Sequence, residues 1–143
     1  IIRYIKYNNV KFLFAGDLET AGWEWLAEHD SRFSSLMKNG LDVLVAPHHG
    51  HDSGFPKALF DLTGNVKTII LSKDSEATKE GTDVFTGYSN YAEGINYYNF
   101  SDKNTYFGKV LTTRSNGNIY ILVDNSCGLS IYADKASSNH KKL

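Results

Sequence analysis

Three of the chain's five histidines fall within four residues, in the run Asp42-Val43-Leu44-Val45-Ala46-Pro47-His48-His49-Gly50-His51-Asp52-Ser53. Imidazole is the commonest side-chain metal ligand and titrates nearest neutral pH, so such a cluster at the end of an apolar run can bind a metal or move protons. A second stretch able to do chemistry lies upstream, Phe12-Leu13-Phe14-Ala15-Gly16-Asp17-Leu18-Glu19, where an apolar strand pattern ends in a glycine and an aspartate. A carboxylate has two oxygens and can bridge two metal ions. The single cysteine, Cys127, excludes an intrachain disulfide framework and a multi-cysteine zinc knuckle, so a metal must be held by histidine and aspartate.

The two stretches can cooperate only if neighbouring strands bring their carboxyl ends to one rim. Ile1 to Tyr7, a turn at Asn8-Asn9 and Val10 to Ala15 read as a β-hairpin. From Thr20 to Lys38, Leu26, Phe33, Leu36 and Met37 recur at helical spacing, with a break at His29-Asp30-Ser31 and a stop at Asn39-Gly40. Leu41 to Ala46 has the near-continuous apolar pattern of a strand covered on both faces, and Pro47 ends it. Pro56 to Leu62 reads as a short helix closed at Gly64, and Val66 to Ser72 as a second buried strand. Strand, helix and strand at this spacing argue for layered packing.

Further on, Lys73 to Gly87 reads as a polar loop or lid, and Tyr88 to Gly94 as a helical turn. Lys109–Thr113, Asn118–Val123 and Leu129–Ala133 read as a three-stranded meander, with 134–143 a solvated tail. The fold class expected is α+β. At 143 residues, 41% of them hydrophobic, the chain suits one domain or part of one. A net charge of -1 provides no overall pull toward nucleic acid or an anionic membrane. No apolar run approaches a membrane span.

The pair Phe12–Glu19 ("FLFAGDLE") and Asp42–Gly50 ("DVLVAPHHG"), about thirty residues apart with a helix between, resembles the C-terminal half of the metallo-β-lactamase superfamily. The likeness is closer to the hydrolase domain at the C-terminal end of bacterial DNA-uptake channel proteins and to its stand-alone relatives. Gly108 to Ile131 ("GKVLTTRSNGNIYILVDNSCGLSI") is similar to their closing strands.

The resemblance implies an αββα sandwich of which residues 1–133 are the C-terminal portion. It also implies a dinuclear zinc or manganese site in which Asp17 bridges the metals and His49 ligates one of them. His48 would then lie near the substrate as a catalytic group, although the two histidines are interchangeable in these roles. The remaining ligands of the family come from an HxHxDH motif and a further histidine that precede this region and are absent from the chain. The expectation is therefore a metal-dependent hydrolase, most simply of phosphodiesters, that is inactive as this chain alone. The half carrying HxHxDH would be a missing segment or a partner chain. Hydrolysis of a lactone, thioester or β-lactam, or a non-catalytic binding half-module, are the other readings. The scarcity of cysteine favours a cytoplasmic setting.

Several residues have plainer readings beside these. His51 is open between a site role and an exposed loop position. Glu19 and Glu24 suit a solvated helix start, and His29 and His140 the surface. Tyr88, Tyr91, Tyr97 and Tyr98 could stack on a base or sugar, or simply pack. Cys127 suits a small core or turn position.

Overall fold

Asn8 and Asn9 both take positive φ, 44° and 67°, the geometry that lets a two-residue turn follow the twist of its strands. They join β1 (Arg3–Tyr7) to β2 (Val10–Phe14) as the expected antiparallel hairpin. The computed structural model describes residues 1–73 and 85–143. It continues with α1 (Thr20–His29), α2 (Ser31–Lys38), β3 (Val43–Val45), α3 (Lys57–Thr63), β4 (Thr68–Leu71) and α4 (Phe85–Ser89). After these come β5 (Ile95–Asn99), β6 (Asn104–Gly108), β7 (Val110–Thr112), α5 (Thr113–Asn116), β8 (Ile119–Val123), β9 (Leu129–Ala133) and β10 (Lys141–Lys142). The break between α1 and α2 has a local cause: the Asp30 carboxylate accepts from the backbone N–H groups of Arg32 and Phe33, each at 3.0 Å, and so starts a new helix.

Two five-stranded sheets form, in the orders β1-β2-β3-β4-β7 and β10-β6-β5-β9-β8. From β2 to β7 the first sheet is parallel, and its register explains why those strands are apolar throughout. Leu13, Leu44, Ile69 and Val110 align across it and face Trp23, Met37, Leu59 and Phe60 of the helices. The alternate residues Phe12, Val43 and Ile70 face Ile119, Ile121 and Val123 of β8 and Leu129 of β9. Helices thus cover one side of the first sheet and the second sheet covers the other, so both faces are dry and both need apolar side chains. The chain is α+β. No described helix is long and apolar enough to cross a membrane.

The C-terminal third departs from the expected meander. β7 lies in the first sheet beside β4, with Val110 on the helix side and Leu111 packed against Tyr97 and Ile131 of the second sheet. The Asn116-Gly117 step, with Gly117 at φ 69°, is a corner that carries the chain from one sheet to the other rather than a hairpin. Of the three strands expected in the meander, only β8 and β9 pair as a hairpin; β9's other neighbour is β5, in parallel. The β5–β6 hairpin carries asparagines, which strands ordinarily disfavour, and they obscure the alternation that buries Tyr97 and Tyr106.

Residues 134–143 are not a solvated tail either. Lys141 and Lys142 pair with β6, Ser137 is buried, and the His140 ring is inserted between Tyr97 and β7. Tyr97 Oη lies 2.8 Å from His140 Nδ1, and His140 Nε2–H donates to the Val110 carbonyl at 3.0 Å. His140 is therefore not a surface residue. The lid expected over Lys73–Gly87 lies, except at its ends, outside the described residues.

Candidate functional site

Phe14 and Val45 are register partners on parallel strands, so the loops that leave β2 and β3 emerge at the same rim. These two loops are stitched together by backbone: the Ala15 N–H donates to the Val45 carbonyl at 3.3 Å and the His48 N–H to the Gly16 carbonyl at 2.8 Å. Ala46 N–H donates to Ile70 at 2.9 Å, anchoring the histidine loop to β4. Gly16 sits at φ 58°, and a Cβ there would meet the Ile1 carbonyl oxygen at 2.6 Å, so the close approach needs glycine.

The loop after Pro47 winds through three successive left-handed residues: His48 (φ 46°, ψ 44°), His49 (φ 53°, ψ 20°) and Gly50 (φ 84°). For a residue with a Cβ that conformation costs about 1–2 kcal/mol, so the turn must be held by its surroundings. His51 N–H donates to the His48 carbonyl at 2.8 Å, and Thr20 Oγ1 to the Ser53 carbonyl at 2.9 Å. Consecutive strained residues of this kind gather at sites where side chains must be aimed.

The turn sends its histidines to different partners. His49 Nδ1–H donates to the Ser72 carbonyl at 2.7 Å, which fixes the tautomer and leaves Nε2 with a free lone pair. That is the arrangement in which a ligating histidine is usually held. His48 and His51 instead share Ser53. His51 Nδ1 accepts from the Ser53 backbone N–H at 3.3 Å, and Ser53 Oγ lies 3.0 Å from His51 Nδ1 and 3.1 Å from His48 Nδ1. One proton assignment satisfies all of these: His48 Nδ1–H donates to Ser53 Oγ, whose hydroxyl donates to His51 Nδ1.

A cleft of about 350 Å³ opens at this rim, and Asp17 and His49 both line it. Its floor is apolar, with Phe14, Ala15, Val45 and Ala46, while Arg3 and Ser72 supply polar groups. His48 and His51 are not part of this lining. The structure therefore brings the bridging candidate and one imidazole together and leaves the expected catalytic histidine with Ser53. A carboxylate and an imidazole with a bare Nε2 fit one edge of a zinc or manganese site, but catalytic sites usually take three protein ligands and a water. Among the described residues no group of three or more His, Cys, Asp or Glu side chains is placed to hold a metal ion.

Arg3 and Ser72 were not legible as site residues. Arg3 is one member of an alternating strand, and Ser72 acts through its carbonyl, which any residue possesses. His29 is exposed and stacks on Trp25, with ring centroids 5.2 Å apart, away from the cleft-lining set. Cys127 is exposed at φ 67° in the β8–β9 turn, the turn position expected of it rather than a core one. Comparison with models of protein families, with curated proteins and with solved structures finds no match.

Proposed function

We propose that this rim is the C-terminal half of a metal-dependent hydrolase centre of the metallo-β-lactamase type, an αββα sandwich completed by another segment or chain, and that its substrate is a phosphodiester. The observation that carries the reading is His49: its Nδ1–H is engaged by the Ser72 carbonyl at 2.7 Å, which leaves Nε2 as its ligating atom, and the residue lines the same cleft as Asp17.

In this reading Asp17 supplies two carboxylate oxygens, His49 supplies one neutral nitrogen, and the stitched Gly16–His48 loops keep them at a fixed separation. A zinc or manganese pair, when bound, supplies a hydroxide at neutral pH and an electrophile for the phosphoryl oxygen. Arg3, which also lines the cleft, favours the phosphodiester over a neutral lactone, thioester or β-lactam, because a guanidinium offsets the charge of an anionic substrate. His48, held by Ser53, positions the turn rather than touching substrate.

An exposed apolar strip supports the reading of a completing half. Ile5, Tyr7 and Phe14 lie on the sheet face that carries Val10 and Phe12, yet they remain exposed at the edge that β8 and β9 do not cover. Packing another segment there would bury that strip and add ligands beside the cleft. The test is hydrolysis of bis-p-nitrophenyl phosphate, with zinc or manganese added, by this chain alone and by the chain joined to an HxHxDH-bearing half-domain. Turnover only in the joined protein, reduced by about a hundredfold in Asp17→Ala and in His49→Ala, is the expected result. Turnover that survives both substitutions assigns the ligands elsewhere.

A further inference from the structure

Strand β1 is the outer strand of the first sheet, and among the described residues no strand pairs with its free edge. Ile5 and Tyr7 are 47% and 54% exposed, and Arg3 and Lys6 are exposed as well. Such an edge presents unpaired amide and carbonyl groups to any strand that fits it. The hairpin decides which groups those are. The pair that flanks a two-residue turn, here Tyr7 and Val10, is hydrogen-bonded, and bonded pairs alternate along an antiparallel ladder. Arg3, Ile5 and Tyr7 thus turn their backbone groups to β2, while Tyr4 and Lys6 turn theirs outward.

The order of side chains along this edge, Arg3-Tyr4-Ile5-Lys6-Tyr7, is complementary to itself. Outward backbone can pair only with outward backbone, so a two-fold axis relating two copies of β1 must pass through a residue rather than between two. With the axis at Ile5, Tyr4 and Lys6 of one copy exchange hydrogen bonds with Lys6 and Tyr4 of the other. Arg3 then lies opposite Tyr7, and Ile5 opposite Ile5. Every cation faces a tyrosine, and cation–aromatic and apolar cross-strand pairs are both favourable. An axis at Lys6 would set lysine against lysine, and one at Tyr4 would set Arg3 against Ile5 and Lys6 against Ile2. A lysine on an edge strand ordinarily keeps other strands away; opposite Tyr4 it admits this one. The edge strand β8, Ile-Tyr-Ile-Leu-Val, is apolar throughout and has no such element to select a partner.

We propose that β1 pairs with β1 of a second copy of this chain, antiparallel about a two-fold axis at Ile5, making the two first sheets continuous. The contact is isologous and small, a single strand pair, so the dimer is weak, with a dissociation constant of about 10–100 μM. Arg3 lines the cleft, so the pairing brings Tyr7 of the second copy to that rim. Because it uses the backbone edge, the sheet face with Ile5, Tyr7 and Phe14 stays open to a further segment. The proposal does not rest on the hydrolase reading.

The experiment is sedimentation velocity over about two decades of concentration around that constant, with circular dichroism to verify folding, followed by disulfide trapping. A reversible monomer–dimer equilibrium is expected. Tyr7→Lys, which sets a lysine opposite Arg3, should weaken it at least tenfold, whereas Tyr7→Phe should preserve it. Lys6→Pro removes an outward amide that β2 does not use and should abolish the dimer. Tyr120→Lys, on the edge of the second sheet, should leave it unchanged. In a Cys127→Ser background, Ile5→Cys should form an intermolecular disulfide in oxidised glutathione, because copies of that residue face each other as a non-bonded pair with Cα atoms about 4.5 Å apart. Tyr4→Cys or Lys6→Cys should not, since their copies lie about 8 Å apart. A chain that stays monomeric throughout overturns the proposal, as does a dimer indifferent to Tyr7→Lys and Lys6→Pro. Trapping at Tyr4→Cys or Lys6→Cys in place of Ile5→Cys overturns the register, and open-ended aggregation in place of a dimer overturns the two-fold pairing.

Discussion

His49 Nδ1 and the Ser72 carbonyl are 2.7 Å apart, and this one hydrogen bond ties the loop after β3 to the end of β4 while fixing which nitrogen of the ring is free. Asp17 reaches the same cleft from the end of β2. Three strands distant in sequence therefore meet in a site whose two candidate ligands have different donor atoms and one fixed tautomer.

Zinc should consequently bind this chain weakly, and through both residues. Titration calorimetry with zinc chloride is expected to give an affinity at least tenfold lower in Asp17→Ala and in His49→Ala. His51→Ala should leave it unaltered, because Ser53 holds that ring outside the cleft-lining set. Equal loss in all three variants would make the binding nonspecific to this rim.

The left-handed turn gives a stability prediction that separates backbone strain from side-chain contacts. His48 sits at φ 46°, where any Cβ is costly and glycine is not. His48→Gly and His48→Ala both lose the hydrogen bond to Ser53, but only glycine relieves the strain. Urea unfolding should therefore find His48→Gly more stable than His48→Ala by about 1 kcal/mol. Equal stabilities, or alanine ahead, would mean the turn is not left-handed in solution.

The docking of residues 134–143 should be sensitive to pH through His140. Burial pushes this imidazole below its ordinary range, and the hydrogen bond to the Val110 carbonyl only partly opposes that. The unfolded ring takes up its proton near pH 6.5, whereas the folded ring does so at lower pH. Its stabilising contribution is thus complete above the ordinary value and is lost as pH falls from there through the folded value. Asp102 and Asp124, whose carboxyls are held low by hydrogen bonds from Tyr106 and Ser126, lose their contributions only below the usual carboxylate range. Urea midpoints should therefore decline below about pH 6.5 in the native chain, with that decline absent in His140→Gln. Tyr97→Phe should cost about 2 kcal/mol at neutral pH, because the buried hydroxyl partners His140, Asn116 and Ser137.

Much of the first half was legible in its residues. Asn8-Asn9, Asp30, Pro47 and Gly64 each act locally, as turn, helix cap, strand stop and helix end, and local signals of this kind do not depend on the rest of the fold. The unbroken apolar runs of β3 and β4 announced strands covered on both sides. Which sheet a later strand joins is a different matter. Val110-Leu111-Thr112 and Ile119–Val123 have similar strand character, yet β7 joins the first sheet and β8 the second, because Gly117 turns a corner between them and Leu111 finds Tyr97 and Ile131 to pack on.

By itself the sequence determined the chemistry available: one cysteine, an aspartate after Gly16 and a histidine cluster after Pro47, with enough apolar alternation for a layered α+β domain. Only the tertiary structure decided how that chemistry is divided, because hydrogen-bond partners far along the chain orient the rings. Ser72 holds His49, which lines the same cleft as Asp17, Ser53 keeps His48 and His51 together, and the Val110 carbonyl and Tyr97 hold the His140 ring partly buried between them. Side-chain type is a property of the residue, whereas the direction in which a ring points and the proton it carries depend on what the fold sets beside it.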